Sequence, residues 1–163
     1  MAWFVLVVLI VSLLLGFVVF FGPPYLPTLS RNMHTALDLL DLKPGQTMLE
    51  LGSGDGRVLL ASAKRGINVI GIELSPVLVI ISRLRTWRYR KQVRVIWGSY
   101  FAVRWPEAQA IFTFMIPRQM AKLDKRIERW RKGRLVRLAS FAFAIPGKKP
   151  VGTKNGVFLY EYK

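Results

Sequence analysis

The hydrophobic pattern divides the chain into an apolar N-terminal segment and a longer body in which apolar and polar positions alternate. Residues 2–21 contain no charged side chain, and Ser12 is their only polar one. About 20 such residues suffice to cross a bilayer. We therefore predict a single transmembrane anchor over residues 1–22. The alternative, a cleaved signal peptide, would have a basic start, a shorter apolar stretch and a small-residue cleavage site.

Residues 23–45 are predicted to form a proline-rich linker and a first helix. Three prolines within residues 22–28 indicate a stiff, non-helical connection. Ser30 can cap a helix in which Met33, Leu37 and Leu40 recur at helical spacing. The helix should stop before the Lys43-Pro44-Gly45 stretch.

The rest of the chain, residues 46–163, alternates short apolar runs with helical patterns. Ser75 followed by Pro76 is typical of a helix start. A Gly/Pro/Lys-rich loop is expected before the last strand, and the segment 98–107 is too short for a crossover helix. The pattern predicts an α/β fold with a mostly parallel sheet and helices on both faces. Strands are predicted at 47–51, 68–74, 93–97, 108–114, 135–144 and 157–162, and helices at 55–65, 76 to about 91 and 117 to about 132.

Charge is distributed unevenly along this basic chain, which carries a formal net charge of +16. Residues up to Glu73 contain five Lys/Arg and five Asp/Glu, whereas the remainder contains 20 and four. The positive-inside rule then places the body on the cytoplasmic side of the membrane. A mitochondrial inner membrane, with the body on the matrix side, is the alternative. No Arg- and Ser-rich amphipathic presequence precedes the predicted anchor, which favours a prokaryotic membrane.

The basic segments 83–94 and 120–134 favour contact with anionic lipid headgroups. A plainly solvated helix face and a nucleic-acid surface are the alternatives, the latter because Trp87 and Tyr89 stand between the charges. The chain has no cysteine and a single histidine, His34. This composition excludes zinc–thiolate and multi-histidine metal sites built from this chain alone.

A glycine-rich turn after the first predicted strand carries the strongest chemical signal. Its sequence, L-G-S-G-D-G-R (51–57), has Arg57 where a P-loop or a dinucleotide fingerprint requires a different residue. Asp55 in the turn would also repel a phosphate. Three of the nine acidic residues, Glu50, Asp55 and Glu73, fall at or beyond strand ends, where open α/β sheets bind ligands. Glu73 can accept both hydroxyls of a ribose, and an acid at the turn can face an ammonium or sulfonium group. This combination predicts S-adenosyl-L-methionine as cofactor.

The motifs E-L-G-S-G-D-G-R (50–57) and G-I-E-L-S-P (71–76) resemble those of class I S-adenosylmethionine-dependent methyltransferases. PYLPT (24–28), ASAKRG (61–66) and SRLRTWR (82–88) are similar to one branch. That branch is the membrane-anchored protein-lysine methyltransferases of the mitochondrial ADP/ATP carrier and the ATP synthase c-subunit, with their prokaryotic relatives. The resemblance covers residues 23 to about 132. It implies a Rossmann-like methyltransferase domain over 46–163, but the methyl acceptor does not follow from it. We predict that the acceptor is lysine of a membrane protein.

Three other functions remain open at this point. A lipid or quinone could accept the methyl group at the same surface. The short 98–107 segment and Ser99 would suit a non-catalytic, adenosyl-binding membrane scaffold. Charge alone would suit a nucleic-acid methyltransferase.

The resemblance also implies roles for individual residues. Glu50 would orient the turn, Glu73 would bind the ribose and Leu74 would pack on the adenine. Ser99, beside Tyr100, occupies a position where the family often has an acid that contacts the adenine amine. The methionine part and the sulfonium would be contacted by Gly52, Ser53, Gly54, Asp55 and Gly56. The bound cofactor would be covered by Tyr25 and Thr28. The acceptor channel would be lined by Phe114, Pro117 and Tyr25.

The same residues have plainer interpretations. Glu50 could instead pair with an arginine, and Phe114 and Pro117 could be a core residue and a helix start. No general base is assigned.

Overall fold

A computed structural model describes residues 1–9, 12 and 30–163. The first of these ranges is helical from residue 2 to residue 9. Most of the predicted anchor and the proline-rich linker, including Tyr25 and Thr28, lie outside the described residues. Within those ranges, no helix combines the length and the apolar character needed to cross a membrane.

Residues 30–163, the described part of the body, contain seven strands, four helices and one 3₁₀ helix. The helices are α1 (Ser30–Leu40), α2 (Arg57–Lys64), α3 (Pro76–Arg85) and α4 (Pro117–Arg131), and the 3₁₀ helix is Trp87–Tyr89. The strands are β1 (Thr47–Leu51), β2 (Asn68–Glu73), β3 (Val93–Trp97), β4 (Ala110–Thr113), β5 (Val136–Phe141), β6 (Gly152–Lys154) and β7 (Val157–Tyr162).

All seven strands form one sheet in the order β3-β2-β1-β4-β5-β7-β6. The first five in this order are mutually parallel, and β7 runs antiparallel to both β5 and β6. The prediction of a mostly parallel sheet is therefore confirmed. Because the parallel strands share one direction, their carboxyl ends and the loops that follow them meet at one edge.

Alternate strand residues supply two apolar cores, one on each face of the sheet. Met48 packs with residues of α1, α2 and α3, whereas its neighbour Leu49 packs with residues of α4. This arrangement confirms the predicted helices on both faces. Segment 98–107 contains no helix, as expected. Trp105 from this segment is buried in the α4 core, and Arg126 of α4 donates hydrogen bonds to two of the segment's carbonyls.

Several predicted boundaries were wrong for identifiable reasons. Helix α2 begins at Arg57, because Gly56 before it has a left-handed φ of 79°. Helix α3 ends at Arg85 and not near Lys91, because the chain after Thr86 tightens into the 3₁₀ helix. Strand β5 ends at Phe141, because Ala142 has a φ of 67° that an extended strand cannot accommodate.

The prediction of a simple loop before the last strand was wrong for residues 152–154. This segment forms β6, which pairs with β7 through a two-residue turn at Asn155 and Gly156. Both turn residues have positive φ, 50° and 73°. Asn-Gly is a strong hairpin signal because both residues tolerate this conformation. The turn was therefore readable in the sequence, although β6 itself is too short to show strand periodicity.

Candidate active site

The predicted site residues of the body gather at the carboxyl edge of the parallel strands. The glycine turn follows β1, Glu73 ends β2, Ser99 and Tyr100 follow β3, and Phe114 follows β4. Since β1 pairs with both β2 and β4, the glycine turn lies between the acid and the aromatic residue.

Backbone geometry explains the glycines of the turn. The amides of Gly52 and Ser53 both donate to the carbonyl of Ile72, at 2.9 and 3.1 Å, which bends the chain against β2. Gly52, Gly54 and Gly56 have φ angles of 79°, 53° and 79°. Residues with side chains rarely adopt these angles. A Cβ at Gly56 would also stand 2.7 Å from the Cβ of Ser82, so α2 and α3 approach closely only because this residue is glycine.

Glu73 is a buried acid that joins three parts of the site. Its Oε2 accepts a hydrogen bond from the Gly54 amide at 2.9 Å, and its Oε1 accepts one from the Ser75 amide at 2.8 Å. Its backbone carbonyl accepts from the Gly98 amide at 2.9 Å. An ionised carboxylate has about four acceptor positions. The two amides orient the group and leave acceptor capacity for the hydroxyls of a ligand.

Glu50 is buried beneath the turn without a hydrogen-bond partner for its Oε2. Burial raises its pKa well above the ordinary value, and the negative charges of Glu73 and Asp55 raise that pKa further. No ion pair connects Glu50 with an arginine in the described part of the chain. The alternative of an arginine partner is therefore not realised there.

Ser53 supplies a second orphaned polar atom beside Glu50. Its side chain is buried and its Oγ has no partner in the described structure. Gly71 lies opposite Glu50 in the β1–β2 register. It is so close to Ser53 that a Cβ at Gly71 would be 2.6 Å from the Ser53 Oγ. Buried polar atoms are nearly always satisfied by protein, water or ligand. Glu50 and Ser53 thus present unfilled acceptor and donor capacity that suits a cationic, hydroxyl-bearing cofactor.

Asp55 has surroundings that differ from the expectation. It is buried, and its carboxylate forms ion pairs with Arg57 at 3.0 Å and with Arg85. We expected an acid facing a cationic ligand, whereas two guanidinium groups of the protein already balance its charge. Asp55 thereby connects the glycine turn to the start of α2 and the end of α3. Its role in cofactor binding stays a prediction.

The loop after β3 lies beside Glu73. Its Ser99 and Tyr100 were predicted as site residues, whereas Trp97, just before the loop, was not. Tyr100 is half-buried and donates to Oε1 of Gln119 at 2.6 Å, and burial together with the charge of Glu73 raises its pKa to about 12. Ser99 accepts a hydrogen bond from the Phe101 amide at 3.3 Å. Trp97, which was not predicted, stands opposite Glu73 in the β2–β3 register and donates to the Leu74 carbonyl at 3.0 Å. Its position at the end of an edge strand was the available signal.

Aromatic residues cluster where β4 and β5 end. The ring of Phe114 lies 4.7 Å from that of Phe141 and 6.4 Å from that of Phe143, measured between centroids. Phe141 and Phe143 were not predicted as site residues, because their contact with Phe114 depends on the β4–β5 pairing. Pro117 is exposed at the first turn of α4. Phe114 therefore joins an aromatic wall, and Pro117 does start a helix.

The described residues include no group of three or more His, Asp or Glu that could hold a metal ion.

The family assignment rests on sequence. The model of the ANTKMT methyltransferase domain matches residues 50–152, which include the glycine turn, Glu73 and the aromatic wall. This chain belongs to that methyltransferase family. The identification from the motifs, a class I S-adenosylmethionine-dependent methyltransferase of this group, is confirmed.

Curated relatives agree with this assignment, and a solved structure shares the fold. The human lysine N-methyltransferase of the ATP synthase c-subunit is 31% identical over 108 residues, which cover 65% of this chain and 46% of that protein. Mouse adenine nucleotide translocase lysine N-methyltransferase is 32% identical over 108 residues, covering 64% and 47%. The chain thus spans about half the length of these relatives. A Salinibacter ruber RNA methyltransferase, solved with S-adenosyl-L-homocysteine, shares the fold, with a TM-score of 0.75, 24% identity and coverage of 84% of this chain and 92% of that one.

Proposed function

We propose that this protein transfers a methyl group from S-adenosyl-L-methionine to lysine side chains of a membrane protein, on the cytoplasmic side of the membrane. The observation that supports the proposal most is the fixed carboxylate of Glu73. Two backbone amides orient it at the carboxyl edge of the sheet, next to a glycine turn with buried, unsatisfied acidic and hydroxyl groups.

The residues present fit this cofactor. Glu73 would accept the ribose hydroxyls, and Leu74 would lie against the adenine. The turn Gly52-Ser53-Gly54 and the buried Glu50 would hold the methionine part, because an ammonium or sulfonium group offsets the negative charge there. When bound, the cofactor supplies an electrophilic methyl group whose transfer releases a neutral thioether.

The protein's contribution to this reaction is mainly orientation. A displacement of this kind requires the attacking nitrogen about 3 Å from the methyl carbon and in line with the departing sulfur. A lysine amine must also be deprotonated before it attacks. The aromatic wall of Phe114, Phe141 and Phe143 would exclude water from the approaching amine and so lower its pKa. We assign no side chain as general base.

Relatives and the sequence both support this acceptor class. Both curated relatives are named for lysine methylation, one of the ATP synthase c-subunit and the other of the adenine nucleotide translocase, which supports a membrane-protein acceptor. The apolar segment 2–21 would anchor this chain at a bilayer. Anchoring raises the local concentration of membrane substrates.

Transfer of radiolabelled methyl groups to native membranes tests the proposal. Membranes are incubated with the full chain and labelled cofactor, then separated into protein, lipid and nucleic acid. We expect label in protein, as methylated lysine after acid hydrolysis, and none with Glu73→Ala. Label in lipid alone would replace lysine with a lipid or quinone acceptor, and label in nucleic acid alone would indicate that substrate. If no fraction is labelled while the chain binds the cofactor, the protein is an adenosyl-binding scaffold.

A further inference from the structure

Helix α3 carries an apolar stripe that no described residue covers. Val77, Ile80, Ile81 and Leu84 recur at helical spacing and are all exposed, Leu84 with 70% of its surface. Trp87, in the following 3₁₀ helix, extends the stripe and is 63% exposed. The opposite side of α3, with Val79 and Ser82, is buried against the sheet. The helix therefore packs one face against the sheet and exposes aliphatic side chains on the opposite face.

A basic groove of about 530 Å³ adjoins the stripe and shares Trp87 with it. The groove lies between the 3₁₀ helix and the edge strand β3, with Val93 and Val95 among its apolar lining residues. Arg83 donates to the Val95 carbonyl at 3.0 Å, and Arg90 lies over the Trp87 ring at 5.2 Å. The polar side chains that line it are mostly cationic: Arg83, Arg90 and Arg94.

The charge around this region has one sign. Residues 74–106 contain six arginines and one lysine but no aspartate or glutamate. Arg85 is balanced by Asp55, whereas Arg88, Lys91 and Arg94 form no ion pair within the described part of the chain. This surface therefore combines exposed aliphatic residues, indole rings and unbalanced cations.

We infer that this surface, the α3 stripe together with its basic groove, docks onto an anionic phospholipid bilayer. Aliphatic and tryptophan side chains insert at the boundary of the headgroups and acyl chains, and basic side chains contact anionic headgroups. The groove accommodates a lipid phosphate among its arginines. A nucleic acid would match the charge but would leave the row of Val, Ile and Leu side chains without an apolar partner.

Docking in this manner would orient the candidate active site with respect to the membrane. Trp97 lines the groove and also donates to the Leu74 carbonyl beside Glu73. The membrane-facing groove and the carboxyl edge of the sheet are therefore adjacent, and a membrane-embedded substrate would reach the site along the same surface. The docking itself does not require methyl transfer.

The chain contains no cysteine, so single introduced thiols allow unambiguous labelling. Leu84→Cys and the control Val151→Cys, which is 61% exposed beside β6 at the far edge of the sheet, carry a polarity-sensitive fluorophore on the full chain. Each is reconstituted into vesicles of phosphatidylcholine alone or mixed with phosphatidylglycerol. We expect a blue-shifted emission and quenching by nitroxide lipids at position 84 only, strongest with phosphatidylglycerol and reversed by salt.

A second experiment compares two double variants that have the same net charge. Arg90→Gln with Arg94→Gln should reduce the docked-to-undocked ratio roughly 30-fold, taking about 1 kcal/mol for each charge. Lys149→Gln with Lys154→Gln removes the same charge elsewhere and should leave the ratio unchanged. Calorimetry on the same samples measures cofactor binding, which tests the proposed function separately. The docking inference and the proposed function can therefore be refuted independently of each other.

Three results would overturn the inference. The first is an equal vesicle response at positions 84 and 151. The second is protection of the position-84 probe from aqueous iodide in vesicles without quenching by nitroxide lipids, which would mean that the chain or a second copy covers the stripe. The third is a response to single-stranded RNA as large as the response to vesicles.

Discussion

The amide of Gly54 donates a hydrogen bond to Oε2 of Glu73 at 2.9 Å, which connects the loop after β1 with the end of β2. The bond fixes the acid at the sheet edge and holds the left-handed backbone of the turn at the same time. Motif residues that are 19 positions apart in sequence thus form one structural unit, and a change to either residue affects both.

Replacement of Glu73 should therefore affect binding and stability together. Glu73→Ala removes the proposed acceptor for the ribose hydroxyls, and we expect at least a tenfold loss of affinity for S-adenosyl-L-methionine by calorimetry. It also leaves the Gly54 and Ser75 amides without their acceptor, at a cost of about 1–3 kcal/mol in the free energy of unfolding. Glu107→Ala, at an exposed acid paired with Arg134, is the control and should change neither quantity appreciably. Unchanged affinity in Glu73→Ala would refute the assigned role.

Glu50 should make stability depend on pH in a direction fixed by its surroundings. Its pKa in the folded state is raised by burial and by Glu73 and Asp55, so the folded protein holds this proton more tightly than the unfolded chain does. The stabilisation from this proton is complete below the unfolded pKa and is lost as pH rises towards the folded pKa. Glu50→Gln should thus be more stable than the parent protein at neutral pH, and urea denaturation should show the difference shrinking in acid.

The same acid links cofactor binding to proton release. A cationic ligand favours the ionised carboxylate, so we expect binding to lower the raised pKa of Glu50 and to release protons. Calorimetry in buffers of different ionisation enthalpy measures this release, and Glu50→Gln should reduce it. Equal proton release by both proteins would place the cofactor's charge away from Glu50.

Gly71 should tolerate no side chain because of its contact with Ser53. A Cβ there would lie 2.6 Å from Oγ and 2.7 Å from Cβ of Ser53. We expect Gly71→Ala to cost about 1–3 kcal/mol in the free energy of unfolding. Gly152→Ala is the matched control, because its nearest neighbour would be at an ordinary 3.8 Å. Adding Ser53→Gly to Gly71→Ala removes both of these clashing atoms and should recover part of the loss, and failure to recover any of it would show that the strain lies elsewhere.

Asp55 should contribute more to stability than to ligand charge. Its side chain is 10% exposed between Arg57 and Arg85, so Asp55→Asn leaves two guanidinium groups without their common partner. The expected cost is about 1–3 kcal/mol, as for hydrogen bonds to charged groups. Asp41→Asn removes an exposed ion pair with Lys43 and should change stability by less than about 1 kcal/mol. Denaturation of both variants measures the contrast, and equal costs would contradict it.

The parallel strands and the order of the motifs could be predicted because each depends on local pattern. The run TMLEL, the Ser75 cap and Pro117 at the start of α4 all encode their elements within a few residues. The Ser75 side chain accepts from the Leu78 amide as a cap does. Burial of alternate strand positions on both faces then follows from the two layers of helices.

Other parts of the site depend on contacts that only the sheet creates. The Gly71–Ser53 approach, the Asp55–Arg85 ion pair and the edge-to-face contact of Phe114 with Phe141 each join residues of different elements. The residues in these contacts are of common types, and no regular spacing along the sequence connects the two members of a pair. Asn155-Gly156 is the opposite case, because its hairpin signal was present in the sequence and β6 was still missed.

Phe114 should separate acceptor recognition from cofactor binding. Its ring packs edge-to-face on Phe141 where β4 and β5 end, whereas Glu73 and the glycine turn, where we propose that the cofactor binds, lie at the ends of β2 and β1. If the aromatic wall desolvates the acceptor amine, Phe114→Ala should lower kcat/KM for lysine methylation at least tenfold and leave cofactor affinity unchanged. Phe114→Leu, which keeps most of the apolar volume, should retain more activity and controls for lost packing. Equal loss of cofactor binding would make Phe114 a core residue, as its plainer interpretation holds, because a packing defect would disturb both ends of the site.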